Sequence, residues 1–132
     1  MYRLPALIVV TLCMPAASLH ADELKLKELA AGSIADRTLQ NEVPANGIIG
    51  SAAELDKLCK AWKIDVPKVN FQESLVIVGT TYGSSFGIRA VLTNGDLKVT
   101  TAGTKDLQPG FRYLLERCPR DGIKTVNQKE LR

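Results

Sequence analysis

Histidine is almost missing from this chain: one of its 132 residues is a histidine, His20. Serine or cysteine nucleophiles relying on an imidazole base, and metal sites built on histidine, need that side chain inside the folded domain. His20 instead sits in an N-terminal segment with the marks of an export signal, so those chemistries are excluded and neither a metal site nor a cofactor is expected. Aromatic residues make up only 5% of the chain, which argues against a carbohydrate-stacking platform. Charge of one sign is also lacking, with 17 Lys and Arg against 14 Asp and Glu. Nucleic-acid binders usually show a basic patch or stripe, so nucleic acid is not an expected partner. The longest apolar stretch, Leu4 to Met14, is too short for a transmembrane segment, which needs about 20 residues.

What that stretch does fit is a signal peptide. Met1-Tyr2-Arg3 supplies a positive start, Leu4 to Met14 an apolar run broken only by Pro5 and Thr11, and Ala16-Ala17-Ser18-Leu19-His20-Ala21 a run of mostly small residues before Asp22-Glu23. Cleavage is expected after Ala21, with the bond after Ser18, which has Ala16 behind it, as the alternative. Val10-Thr11-Leu12 lacks the small residues expected before a lipidated cysteine, which speaks against a lipid on Cys13. Residues 1–21 are therefore expected to be removed, leaving residues 22–132 as one secreted or periplasmic domain, a monomer or weak oligomer of 111 residues.

Two cysteines remain, Cys59 and Cys118. An even pair in an exported protein is expected to form a disulfide, and closing a loop of about 60 residues would stabilise by about 4 kcal/mol. Two buried thiols packed as small hydrophobes are the alternative, because Cys59 falls on an apolar helix face.

That helix is the clearest local signal. Ser51-Ala52-Ala53-Glu54 is a capping box, and Leu55, Leu58, Cys59 and Trp62 follow at i, i+3, i+4 and i+7, with Asp56, Lys57, Lys60 and Lys63 on the other side. The helix should end before Pro67. Leu75-Val76-Ile77-Val78 is a continuous apolar run, the pattern of a central strand buried on both faces. Phe86, Ile88, Ala90 and Leu92 alternate with more polar neighbours, Asn94-Gly95 marks a type I′ turn, and Leu97, Val99 and Thr101 continue the hairpin. Phe111 to Arg117 and Ile123 to Val126 give two more strands, and Ile48-Ile49 a short one. Asp22 to Ala31 begins with strand alternation and then fits strand or helix equally, whereas residues 32 to 47 carry many turn formers and are expected to be a loop or irregular edge. The expected fold is α+β: a mainly antiparallel, curled sheet of five to seven strands in meander order, with one helix, residues 51 to 62, packed on one face.

Gly83-Ser84-Ser85-Phe86-Gly87 matches G-x-S-x-G, the nucleophile elbow, yet an alternating strand rather than a helix follows it and no histidine is at hand. A glycine-rich turn between strands is the expectation, and a Ser85 hydrolase using a lysine the alternative. With Tyr82 and Phe86 at its flanks, the segment is a candidate recognition loop comprising Tyr82, Gly83, Ser84, Ser85, Phe86 and Gly87. Arg112, Arg117, Arg120 and Lys124 form either a solvated basic face or a patch for an anion or acidic partner.

Over residues 48 to 101 the order of features resembles the PrcB C-terminal domain family, named after an accessory subunit of a secreted bacterial protease complex. The resemblance is carried by the capped helix Ser51 to Trp62, by Pro67-Lys68-Val69-Asn70-Phe71 and Leu75-Val76-Ile77-Val78-Gly79, and by the glycine-rich Gly83 to Gly87 before strands Ile88 to Leu92 and Leu97 to Thr101. Family members tend to carry Val-Asp-Phe and Gly-Gly-Tyr where this chain has Val69-Asn70-Phe71 and Ser84-Ser85-Phe86. The resemblance implies a non-catalytic exported module that binds or stabilises another exported protein, a protease among the candidates. A small-ligand or envelope structural protein is a further alternative.

Overall fold

The computed structural model describes residues 21 to 130. Residues 1 to 20, and with them most of the expected signal peptide, lie outside the described residues. In chain order the elements are β1 (Ala21–Glu23), β2 (Lys27–Ile34), a 3-10 helix (Arg37–Glu42), β3 (Ile48–Ile49), α1 (Ala52–Trp62), β4 (Ser74–Thr81), β5 (Phe86–Thr93), β6 (Asp96–Gly103), β7 (Phe111–Pro119), β8 (Thr125–Val126) and β9 (Lys129–Glu130). The α+β class stands, with α1 as expected on one face of a largely antiparallel arrangement. No helix among the described residues is long and apolar enough to cross a membrane.

The strands fall into two sheets rather than one meander. A four-stranded sheet runs β2-β7-β4-β3 and a five-stranded sheet β1-β5-β6-β8-β9, every pairing antiparallel except the short parallel β6–β8 contact. The nine strands exceed the expected five to seven because the segment from Asp22 forms two strands, β1 and β2, and because β9 is too short to show a period of two. Residues 32 to 47 also differ from expectation, because β2 continues to Ile34 and the chain then winds its 3-10 turn. Gly32, taken for a turn former, lies within β2, where an added Cβ would stand 2.8 Å from the Tyr113 hydroxyl oxygen. Its missing side chain makes room for an aromatic ring.

Helix α1 forms as its cap and stripe dictate. The Ser51 hydroxyl accepts from the Glu54 amide at 3.3 Å, Leu55, Leu58, Cys59 and Trp62 are all buried, and Lys63 ends the helix in the left-handed region at φ 56°. The buried stripe meets Val76 and Val78 of β4, Phe111, Tyr113 and Leu115 of β7, and Ile34 and Ile49 from the edges. The Trp62 ring stands edge-on to Phe111 with centroids 5.4 Å apart, and its indole N–H donates to the Leu39 carbonyl at 2.8 Å. A buried indole with its one donor satisfied combines a large apolar area with a fixed orientation, and here it also ties the 3-10 helix to α1.

The opposite face of the same sheet is covered too. Leu75 and Ile77 of β4, with Cys118 and Ile48, pack on Ala90, Leu97 and Val126 of the five-stranded sheet. The apolar run 75 to 78 is thus continuous because both of its faces are buried.

This layering corrects the disulfide expectation. Cys59 lies in the helix-side core and Cys118 in the core between the sheets, both as free thiols, with the four-stranded sheet between them. Leu115 points towards the helix, so Cys118, three residues further along β7, points the other way. An even cysteine count carries no information about direction. Burial raises the pKa of both thiols, that of Cys118 to about 11, so both stay protonated and unreactive at neutral pH. Titration of the denatured, unreduced protein is expected to find Cys59 and Cys118 as free thiols, and a reductant to leave the urea midpoint unchanged. A reductant-induced fall of several kcal/mol would restore the bridge.

Candidate functional site

Five chain segments converge at one end of the layered core: the end of β4, the start of β5, the end of β6, the start of β7, and the 3-10 helix that follows β2. The hairpin register places Phe86 opposite Gly103, so the β4–β5 connection (82–85) runs beside the β6–β7 connection (104–110). The Ser85 carbonyl accepts from the Thr104 amide at 2.9 Å, and the Tyr82 carbonyl from the Gln108 amide at 2.8 Å. Gly83 is buried at the closest approach, where an added Cβ would stand 2.3 Å from the Thr104 carbonyl oxygen.

Side chains complete the lock. The Asp106 carboxylate accepts from the Ser84 amide at 3.1 Å and from the Gln108 side-chain amide at 2.8 Å, and the Thr104 hydroxyl oxygen accepts from the Ser85 amide at 3.2 Å. The Thr104 hydroxyl first, then the Ser84 amide and Gln108, hold the Asp106 carboxyl well below the usual carboxylate range. Hydrogen bonds to the ionised form favour it, so the loop is tied by a group ionised at every ordinary pH.

Tyr82 faces water at this end. It is 39% exposed, yet its hydroxyl donates to Gln40 Oε1 at 2.5 Å, and Gln40 Nε2 donates in turn to Thr80 Oγ1 at 2.8 Å. The Arg37 guanidinium lies 4.5 Å from the centroid of the tyrosine ring and donates to the carbonyls of Gly110 at 3.1 Å and Gln108 at 3.0 Å. Leu107, in the neighbouring loop, is 76% exposed. The surface therefore presents an aromatic ring, a guanidinium and an aliphatic side chain on rigid backbone.

The other members of the expected loop take different roles. Phe86 is half-buried and lies against Gly79 and Gly103, both of which lack the side chain that would displace it. Gly87 is exposed with nothing within 4 Å of where a Cβ would be, so no packing demand explains its glycine. Ser85 is exposed and is followed directly by strand β5. Its amide and carbonyl are both engaged with Thr104, and no lysine is among its hydrogen-bond partners.

The basic residues do not come together. Arg112 and Arg117 lie on opposite faces of β7, Arg120 donates to the Phe71 carbonyl, and Lys124 packs its side chain against Gly95. The β2–β7 register instead sets like charges opposite each other, Lys27 against Arg117 and Glu28 against Glu116. Among the described residues no group of three or more His, Cys, Asp or Glu stands close enough to hold a metal ion. A cleft of about 550 Å³ bounded by Pro44, Ile48, Glu54 and Lys129 includes none of the recognition-loop or basic-patch residues named from the sequence.

Comparison with protein-family models, with curated proteins and with solved structures finds no match. Function is therefore read from the geometry of the Tyr82 end. Arg37, Gln40, Thr104, Asp106 and Leu107 are its members that sequence reasoning did not single out. Gln40 and Tyr82 are 42 residues apart, and no local pattern joins them.

Two outcomes are expected. Gly83→Ala should separate the two connections, seen as faster hydrogen exchange of the Ser84 and Ser85 amides, whereas Gly87→Ala should leave both rates unchanged. Equal effects from the two substitutions would contradict the close approach at Gly83. The second outcome concerns Glu116, whose pKa is raised from 4.5 chiefly by burial and then by Glu28. A raised folded-state value means that this group's contribution is full below the ordinary glutamate range and declines as pH rises through the folded value. Glu116→Gln should stabilise by roughly 0.2–1 kcal/mol at pH 7, with the gain vanishing near pH 4, as measured by urea unfolding. An unchanged midpoint at pH 7 would contradict the like-charge opposition.

Proposed function

We propose that this chain is a secreted or periplasmic protein-binding module whose contact surface is the end built around Tyr82. The observation that carries this is an exposed tyrosine held in one orientation by Gln40 and Arg37, with Leu107 exposed in the neighbouring loop. Tyrosine and arginine dominate the energetics of protein interfaces, and a side chain already fixed loses little freedom on binding. The rest of the loop Gly83 to Gly87 supplies backbone and rim rather than chemistry. Ser84 and Ser85 in particular engage Thr104 and Asp106, which suits a rigid support.

The partner is another exported protein. The sequence resemblance to protease-associated modules makes an exported protease the first to try, and the dispersal of Arg112, Arg117, Arg120 and Lys124 favours an apolar and aromatic contact over a purely anionic one.

Affinity capture from the native secretome or periplasm should recover a reproducible partner. Tyr82→Ala should weaken its binding by about 30-fold, the loss typical of an interface anchor, while Lys57→Ala on the outer face of α1 leaves it unchanged. The emission of buried Trp62 reports whether each variant remains folded. Absence of any reproducible partner, or a Tyr82→Ala variant that binds as well as the parent, sinks the proposal. Hydrolase activity abolished by Ser85→Ala would replace it with the catalytic alternative.

A further inference from the structure

Strand β6 carries an open edge with a symmetry of its own. The two-residue turn Asn94-Gly95 makes Thr93 and Asp96 a hydrogen-bonded pair, so the register Val91↔Lys98, Arg89↔Thr100 and Gly87↔Ala102 directs the backbone groups of even-numbered β6 residues towards β5. Those of the odd-numbered residues point away. Neighbouring bonds agree: the Leu97 carbonyl accepts from the Asn127 amide at 2.8 Å, and the Val99 amide donates outward to Asn127 Oδ1 at 3.1 Å. Further along, among the described residues, the Val99 carbonyl and the amides and carbonyls of Thr101 and Gly103 have no partner, because β8 pairs with β6 only at Asp96 and Leu97. Thr100 to Gly103 are all exposed.

Open edges are normally blunted by charge or proline. From Val99 to Thr104 there is neither. About Thr101 these groups can match under a two-fold axis: the Val99 carbonyl two residues before it answers the Gly103 amide two residues after it, and Thr101 carries one donor and one acceptor. We infer that this edge is a self-association site, occupied by β6 of a second copy of this chain running antiparallel with Thr101 on the two-fold axis. Each Thr101 amide then donates to the other copy's Thr101 carbonyl, and each Gly103 amide to the other copy's Val99 carbonyl. These four bonds use the free groups of both edges except the Gly103 carbonyl, whose counterpart, the Val99 amide, is held by Asn127.

The same register places Lys98 opposite Thr104 of the second copy, so the lysine meets a neutral residue. The ladder stops at Val99 because Asn127 already holds that amide, which keeps the interface short. A short ladder falls below the roughly 1,200 Å² of a stable complex, and the dimer is accordingly weak and concentration-dependent. This edge does not use Tyr82, so the inference is independent of the proposed contact end.

Sedimentation velocity over a wide concentration range, paired with amide exchange, tests it. The expected result is a reversible dimer at high concentration, with the Thr101 and Gly103 amides protected only as the dimer forms. Thr101→Pro removes the central donor where the monomer's amide faces solvent, a position that tolerates proline, and should weaken dimerisation at least tenfold. Thr101→Lys sets two lysines face to face and should do the same, which keeps the test valid if the proline variant misfolds. A protein monomeric at every concentration overturns the inference, as does a dimer indifferent to both variants or one that leaves these amides exchanging freely. Protection that appears only on adding a strand from another protein overturns the assignment to a second copy.

Discussion

The pairing of β4 with β7 is the interaction on which every other part of this molecule depends, because those two strands are buried on both faces and form the middle of its layers. Their register runs unbroken from Ser74 opposite Pro119 to Thr81 opposite Arg112. Alternation along it sends Val76, Val78, Phe111, Tyr113 and Leu115 to the helix and Leu75, Ile77 and Cys118 to the second sheet. A slip of one residue would exchange the two sets and ruin both cores at once. That demand fixes the strands firmly and leaves their ends free to carry loops.

The Tyr82 end is a consequence of that arrangement. Strand β4 leaves the central pair at Thr81 and β7 enters it at Arg112, so their connections emerge side by side, and the 3-10 helix is drawn to the same corner by the Trp62 bond to Leu39. The loop is rigid for a plain reason: it satisfies its backbone groups with neighbouring loops and with the ionised Asp106. A surface made in this way offers fixed side chains without needing a fixed partner to order them.

Much of this was legible locally. The α1 stripe, its serine cap, the double-sided burial of residues 75 to 78 and the Asn94-Gly95 turn were all read correctly, because each is a pattern of spacing within one element. The turn residues even adopt the left-handed angles expected of them, φ 50° and 84°. The readings that failed concerned direction and distance. Gly32 reads as a turn former but serves a tyrosine 81 residues away, and Cys59 and Cys118 read as a pair but are separated by a sheet. Of the candidate site, Tyr82 and the glycine-serine turn were found, whereas Arg37, Gln40 and Asp106 belong to it only through contacts that cross the chain.

The sequence by itself determined the periodicities, the caps and turns, the absence of histidine from residues 21 to 130, and the central strand, since these depend on spacing and residue type over a few positions. Only the tertiary structure decided that there are two sheets, that the cysteines lie in separate cores, and which loops meet at Tyr82. Those outcomes depend on which strand pairs with which and on the face each side chain takes in the finished register. Pairing is settled by the burial of the whole chain at once, and no window of sequence contains it.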